Sequence, residues 1–416
     1  MVVAASAASV EPVDRPAESL LPAHPVTLFV RDRTTLVLYA ALCAFGALQT
    51  VPSLATPALR EELGYGYGLS SAHLSVFAAG SVVSGLVGAR ATRLVGRTCV
   101  LVVGLLGFAA GAALLTAGRT PGATLGACLV AGAVGTLVLV AVQAGLADHH
   151  GEQRAVAFAE SNAMASVGTT LAPLVVGGLT AATGSWRWGV LLLALGAAGA
   201  ALAARGAGVP EPSAGTAADV ATVLPRAARA AVALVFCGVV LEWSVSFWGA
   251  TYLRDVVGLD RATAVTAMAL FFGAMLTGRV AGAVLARRRE PRRLLVAALV
   301  TTTAGLGVAA VTTAAPAVLV ALVLLGLGIS VIFPLALSLA VAAAPSQAAA
   351  VSGRCVTLGA LAVLLGPLVV GQLADVVGLR PALLVLPVAL LAAVPLLRAG
   401  APVGSASLLQ ARTYGR

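Results

Sequence analysis

Apolar runs of helix-spanning length follow one another along almost the whole chain, each closed off by Arg, Pro or Gly. About 20 mostly apolar residues cross a bilayer as a helix. On that measure spans are expected at 34–57, 70–90, 97–118, 122–146, 155–181 and 184–204, and again at 230–253, 264–286, 293–313, 315–342, 349–375 and 380–399. The pattern predicts an all-α membrane protein of about twelve transmembrane helices in two pseudo-symmetric six-helix bundles, 34–204 and 230–400. Residues 205–229, with Pro210, Glu211, Pro212, Ser213 and Asp219, read as a linker between them. Residues 1–33 and 401–416 read as cytoplasmic tails.

The positive charges orient this pattern. With both termini on the cytoplasmic side, nineteen of the 26 basic residues fall in cytoplasmic segments, six fall outside, and Arg279 lies within a helix. The bias matches the rule that basic residues stay inside, and an odd helix count would destroy it. The N-terminus is no secretory signal, because Pro12, Pro16, Pro22 and Pro25 and the acidic Glu11, Asp14 and Glu18 interrupt it.

Composition agrees. The chain is 60% hydrophobic and 10% charged, with mean hydropathy +1.01; soluble domains carry roughly 25% charge. The net charge of +10 is spread as punctuation between apolar runs, so no nucleic-acid partner is expected. Every basic residue is Arg, which excludes a phosphate-binding Gly-Lys loop and a Schiff-base lysine. Five cysteines, each in a different apolar run, read as small core residues, with neither metal nor cofactor expected.

The chain also repeats itself. Pro173-Leu-Val-Val-Gly177-Gly178-Leu returns as Pro367-Leu-Val-Val-Gly371-Gln-Leu, 194 residues on. At the same offset Leu59-Arg60-Glu61 and Gly64 return as Leu253-Arg254-Asp255 and Gly258. Each half has an even number of helices, so the repeats should be parallel. Transporters built this way bind their solute near the midplane, between the halves.

Over residues 30–400 the chain resembles the major facilitator superfamily. The loop after the second helix carries Gly88, Arg93, Gly96 and Arg97, similar to that family's glycine-arginine signature, with Thr92 where the pattern has Asp. Gly168 to Gly178, centred on Pro173, is similar to the fifth-helix signature of the family's bacterial drug/proton antiporters, as is Ser185-Trp186-Arg187-Trp188. The resemblance implies a monomeric, multi-pass transporter of the bacterial inner membrane that exchanges a small molecule for protons. It also implies a cavity lined by the first, fourth, seventh and tenth helices. A packing seam explains Gly168 to Gly178 equally well, since small residues let helices approach and Pro173 removes a helix hydrogen bond.

Glu242 is the most informative side chain, an ionisable group in mid-span where comparable residues cost roughly 2.5–3.5 kcal/mol. That cost argues for a cavity-facing position, and desolvation disfavours its ionised form, as reversible proton binding requires. Trp248 and Tyr252 share a helix face and could hold an aromatic or cationic solute. Trp243 projects the other way, towards lipid or a neighbouring helix. Arg279 could bind an anion, pair with Glu242 or snorkel to headgroups. Glu160 is a second carboxylate for coupling, or the partner of Arg154 in an interfacial salt bridge. Gln49, Gln143 and Asn162 could contact solute or join helices. His73 and the loop pair His149-His150 read as structural.

Three function classes follow: a proton-driven exporter, an uptake symporter on the same scaffold, and a membrane sensor or intramembrane enzyme. The enzyme lacks convergent His, Cys or Asp groups, and the tails are too short for a sensor domain. Export is the leading expectation.

Overall fold

Fifteen α-helices make up the described residues of the computed structural model, which are 29–211, 224–388 and 390–391. Most of both tails, linker residues 212–223 and the end of the last expected span lie outside them. Before the linker come α1 (Arg33–Gln49), α2 (Val51–Leu63), α3 (Tyr67–Val95), α4 (Arg97–Ala117), α5 (Pro121–Gly135), α6 (Leu137–His150), α7 (Arg154–Thr183) and α8 (Trp186–Ala204). After it come α9 (Arg226–Asp255), α10 (Arg261–Leu285), α11 (Pro291–Val311), α12 (Ala315–Ile329), α13 (Ile332–Ala342), α14 (Ala348–Val377) and α15 (Leu379–Ala382). Among the described residues ten helical stretches are long and apolar enough to cross a membrane, and one, Pro121–Thr183, has 63 residues, enough for more than one crossing.

Local chemistry sets the helix ends. Asp32 caps α1 by accepting from the Thr35 N–H at 2.9 Å, and Asp260 caps α10 by accepting from the Thr263 N–H at 3.1 Å. The first expected span is continuous in sequence but breaks at Thr50, where Pro52 opens the second segment and cannot donate to the turn before it. The break leaves Gln49, Thr50 and Ser53 on one inner edge. No proline stands at the matching place in α9, which runs unbroken for 30 residues.

The duplication shows in the backbone. One-turn 3-10 helices at Gly151–Gln153 and Pro345–Gln347 lie 194 residues apart, and so do the starts and ends of the 30-residue helices α7 and α14. The interruptions after α5 and α12, at Thr136 and Ser330, keep the same spacing. Gly64 and its repeat Gly258 both adopt positive φ, +67° and +85°, which a side chain would resist.

α7 packs against α1, α8 and α10, while α14 packs against α9 and α3. Glycines allow these approaches: a Cβ on Gly168 would strike the Cys43 carbonyl of α1, and one on Gly177 would strike Thr266 of α10. The repeat of Gly177, Gly371, meets Ser71 and the Tyr67 carbonyl of α3. Two copies of one segment thus make two equivalent helix contacts. Gly178 faces open space, with nothing within 4 Å of a built Cβ.

Candidate functional site

Most polar contacts joining the chain before the linker to the chain after it gather at one end. Arg60 pairs with Asp255, and Arg254 pairs with Glu61, which also receives Arg261. The first two pairs are reciprocal, each arginine reaching the acid of the opposite repeat. Tyr67 reinforces them by donating to Asp255 at 3.1 Å, with the Arg60 guanidinium 3.6 Å above its ring. The Asp375 carboxylate accepts from the N–H groups of Tyr67 and Gly68, at 2.7 and 2.8 Å, at the start of α3. Below this lattice, Val51 to Leu59 of α2 are all buried. This end is closed.

A cavity lies deeper, with about 540 Å³ of empty space that includes the open solvent at its mouth. Glu242 sits 13 residues from Asp255, about 20 Å of helix from the closed end, and Arg279 sits 18 residues from Arg261, about 27 Å. The Arg279 guanidinium donates to Glu242 Oε1 at 2.9 Å and to Ser166 Oγ of α7 at 2.8 Å. The Arg279 side chain is nevertheless 39% exposed, against 19% for Glu242. Gln49, Thr50, Ser53, Thr169 and Ser246 supply polar lining, and Trp243, Phe247, Phe272 and Met275 supply an apolar wall.

Several expected site residues are placed elsewhere. Trp248 is fully buried, and its indole N–H donates to the Pro367 carbonyl at 3.0 Å. The Tyr252 hydroxyl donates to the Ala309 carbonyl at 2.8 Å. Both border a separate, mostly apolar cavity beside Arg380. Trp243, expected to face lipid or a neighbour, lines the central cavity instead. The reason is the arc of α9: the face bearing Trp248 packs on α14, which turns the Glu242–Trp243 side inward. Gln49 lines the cavity, but Gln143 and Asn162 are exposed and do not, and the Asn162 amide donates to its own helix at Phe158.

Glu160 also has a different partner from the one expected. Arg31 grips it through two hydrogen bonds of 2.8 and 2.6 Å, and the Tyr39 hydroxyl donates at 3.1 Å. Six residues along a helix rotate Arg154 far from the Glu160 face. The sequence gives no sign of this pairing, since Arg31 lies 129 residues away.

The glycine-arginine signature builds a joint. Gly96 takes φ +85° between α3 and α4. Buried Arg97 donates to Asp148 at 2.6 Å and to the Pro210 carbonyl, and its backbone N–H donates to Glu211 at 2.9 Å. Gly88 leaves room for Leu137 and Val140, and Arg93 is exposed. His149 and His150, expected in a loop, end α6 and contact Asp32 and Thr35 at 2.8 and 2.9 Å. Partial burial works against ionisation of Asp32, but hydrogen bonds from Thr35 and His149 outweigh it and hold the carboxyl down at about 2. His73 is buried and bonded to Leu69 and Thr124. Trp186 and Arg187, singled out by resemblance, clamp Glu62 at the end of α2. Among the described residues no group of three or more His, Cys, Asp or Glu could hold a metal ion.

Comparison with known proteins places this architecture. A family model described as Major Facilitator Superfamily matches residues 37–367. A bacterial homolog of the human lysosomal transporter Spinster, solved inward-facing and unoccupied, superposes with TM-score 0.69 at 14% identity, over 89% of this chain and 97% of that one. A D-xylose–proton symporter superposes with TM-score 0.69 at 15% identity, over 88% and 96%. The human organic anion transporter MFSD10 gives 0.63 at 20% identity, over 88% and 99%. At such identities the likeness is one of fold. No curated protein matches the chain.

Proposed function

This chain belongs to the Major Facilitator Superfamily, and from that premise we propose that it moves a small solute across a bacterial inner membrane by alternating access, coupled to protons through Glu242. It crosses the membrane twelve times as a monomer, with both termini and the linker on the cytoplasmic side. The central cavity is its solute site, and the lattice around Arg60 and Asp255 is the outer closure. One observation carries the reading: the single carboxylate lining the central cavity, midway along α9, lies 2.9 Å from the single guanidinium there. A gradient does work only through a group whose protonation differs between the two access states. Glu242 is positioned to be that group, and Glu160, held by Arg31 and Tyr39 beyond the cavity lining, serves the structure.

The fifth-helix glycines that raised the expectation of drug export have contacts of their own here. Gly168 admits α1 and Gly177 admits α10. Close packing accounts for them, so they support neither direction of transport.

The test is solute-driven proton movement in proteoliposomes enclosing a pH-sensitive dye, screened with a panel of organic solutes. Glu242→Gln, which keeps shape and removes titration, is expected to reduce the signal at least about tenfold while the protein still inserts and folds. Wild-type proton movement in Glu242→Gln would remove Glu242 from the coupling role.

A further inference from the structure

The charge arithmetic of the central cavity restricts what it can bind. The site holds one guanidinium, a permanently charged group, and one carboxyl, so its charge is set by the carboxyl of Glu242. Along the cavity lining the other residues are uncharged. Charges on the helices packed against α9 lie further off. Those of α2 are Arg60, Glu61 and Glu62 at the closed end, where Arg261 of α10 and Asp375 of α14 also lie, and on α14 Arg354 lies five residues beyond Gly359, which is level with Val239. With Glu242 ionised the site is neutral and the pair satisfies itself. With Glu242 protonated the site carries one positive charge, and Arg279 keeps only neutral acceptors, Ser166 and the carboxyl itself, with no counter-ion. A partly buried cation without a counter-ion is costly.

We infer that the cavity takes a monoanionic solute with a flat apolar body, whose anionic group replaces Glu242 on Arg279 as Glu242 takes up a proton. The inference rests on the coupling role proposed for Glu242 and adds the class of solute. A cation would have to sit beside Arg279 and leave the site with a net positive charge, and a neutral solute would compensate nothing. Arg279 is also the more exposed member of the pair, and so meets an incoming solute first. Three of the hydroxyls nearby already donate to backbone carbonyls, Thr50 to Ala47 and Ser53 to Thr50 at 2.7 Å and Thr169 to Ser166 at 2.9 Å. The anionic end therefore has one charged donor, Arg279, beside the neutral Gln49 and Ser246, and the apolar body lies against Trp243, Phe247 and Phe272.

In this exchange the Nη2–H···Oε1 bond between Arg279 and Glu242 is lost, an O–H bond forms on Glu242, and the guanidinium donates to the anion instead. Proton and anion enter the site together, and by reciprocity each tightens the binding of the other. They travel in the same direction. The transporter is then a symporter, the second of the functions expected from the sequence.

Benzenesulfonate is a suitable probe, because it is anionic at every working pH and any pH dependence belongs to the protein. Calorimetric binding to the full chain in nanodiscs is expected to tighten as pH falls, by up to about tenfold per unit if one proton accompanies each anion. Glu242→Gln is expected to bind at least as tightly as wild type at low pH, with a flat pH profile. Arg279→Gln is expected to lose binding while eluting as folded protein, and Arg279→Lys to recover part of it. Benzenesulfonamide, close in shape and neutral, is expected to bind at least about tenfold more weakly.

No saturable benzenesulfonate binding to folded wild type overturns the inference, as does a flat wild-type pH profile or binding by Arg279→Gln. Tighter binding of benzyltrimethylammonium as pH rises overturns it too, by making Glu242 a cation site. The two readings fail separately. Loss of proton movement in Glu242→Gln with pH-independent anion binding leaves the coupling role standing and removes the solute class. Persistent proton movement in Glu242→Gln removes the coupling role itself.

Discussion

Removing Arg279 alone leaves the Glu242 carboxylate without its partner, whereas removing both charges leaves two neutral amides. Breaking a fully buried pair costs about 3–5 kcal/mol. This pair is partly open to the cavity, so Arg279→Gln is expected to cost about 1–3 kcal/mol and Glu242→Gln/Arg279→Gln distinctly less. Thermal unfolding of the purified variants decides it, and equal losses would mean that the ion pair contributes nothing. At the other end of the scale of burial stands Asp32. Its carboxyl is held near 2, below its ordinary value, so its contribution is complete above the unfolded range and disappears only as pH falls towards 2. Asp32→Ala removes the α1 cap and is expected to cost about 1 kcal/mol, equally at pH 5 and pH 8. A loss present at one pH and absent at the other would contradict it. Glu242 could be singled out from sequence because a charge in mid-span needs a reason. Its partner could not be chosen among three uses of Arg279, since those differ only in where α10 stands relative to α9.

Neighbouring glycines at one helix contact offer a sharper test than any motif. Gly177 lies against Ala262 and Thr266, and Gly178 beside it faces open space. Gly177→Val is expected to force α7 and α10 apart and cost more than about 2 kcal/mol, while Gly178→Val stays within about 0.5 kcal/mol. Comparable losses at both positions would show that the α7–α10 contact is loose. The repeat from Pro173 to Gly178 identified a seam from sequence alone, but both glycines look the same there. A rotation of about 100° between successive helix residues separates their roles, and only the position of α10 says which face is covered. The same rotation explains the aromatic residues of α9. Trp248 and Tyr252 do share a face, as their spacing requires. That face packs on α14 and borders the second cavity, while Trp243 lines the central one.

Across the whole molecule, the reciprocal pairs Arg60–Asp255 and Arg254–Glu61 hold one end shut. Each is partly exposed and worth about 0.5–1 kcal/mol, so neutralising both should shift the balance between access states by about 1–2 kcal/mol, roughly 5- to 30-fold. The measurement is labelling of a cysteine placed at Ser53, by an impermeant reagent added from outside cells. Faster labelling in Arg60→Gln/Arg254→Gln is expected, and restoration when Arg60 and Asp255 are exchanged as Arg60→Asp/Asp255→Arg. An unchanged rate would show that the apolar contacts at Gly177 and Gly371 suffice for closure. Reagent from outside is also expected to reach a cysteine near Arg261 and to miss one near Arg288. The reverse pattern would invert the proposed orientation.

By itself the sequence determined that this chain is helical and membrane-spanning, and that it is built twice over with a period of 194 residues. Those properties follow from run length, hydropathy and identical neighbours along the chain, all of which are local quantities. It also marked Glu242 as costly and the Gly168 to Gly178 stretch as a place of close approach. Only the tertiary structure decided who meets whom. Arg31 finds Glu160, Arg60 finds Asp255, Arg97 finds Asp148, and Arg279 finds Glu242 and Ser166, across separations of 37 to 195 residues. A charged side chain fixes the need for a partner through its desolvation cost. Which partner answers that need depends on helix rotation and depth, and these are set by the packing of the whole bundle.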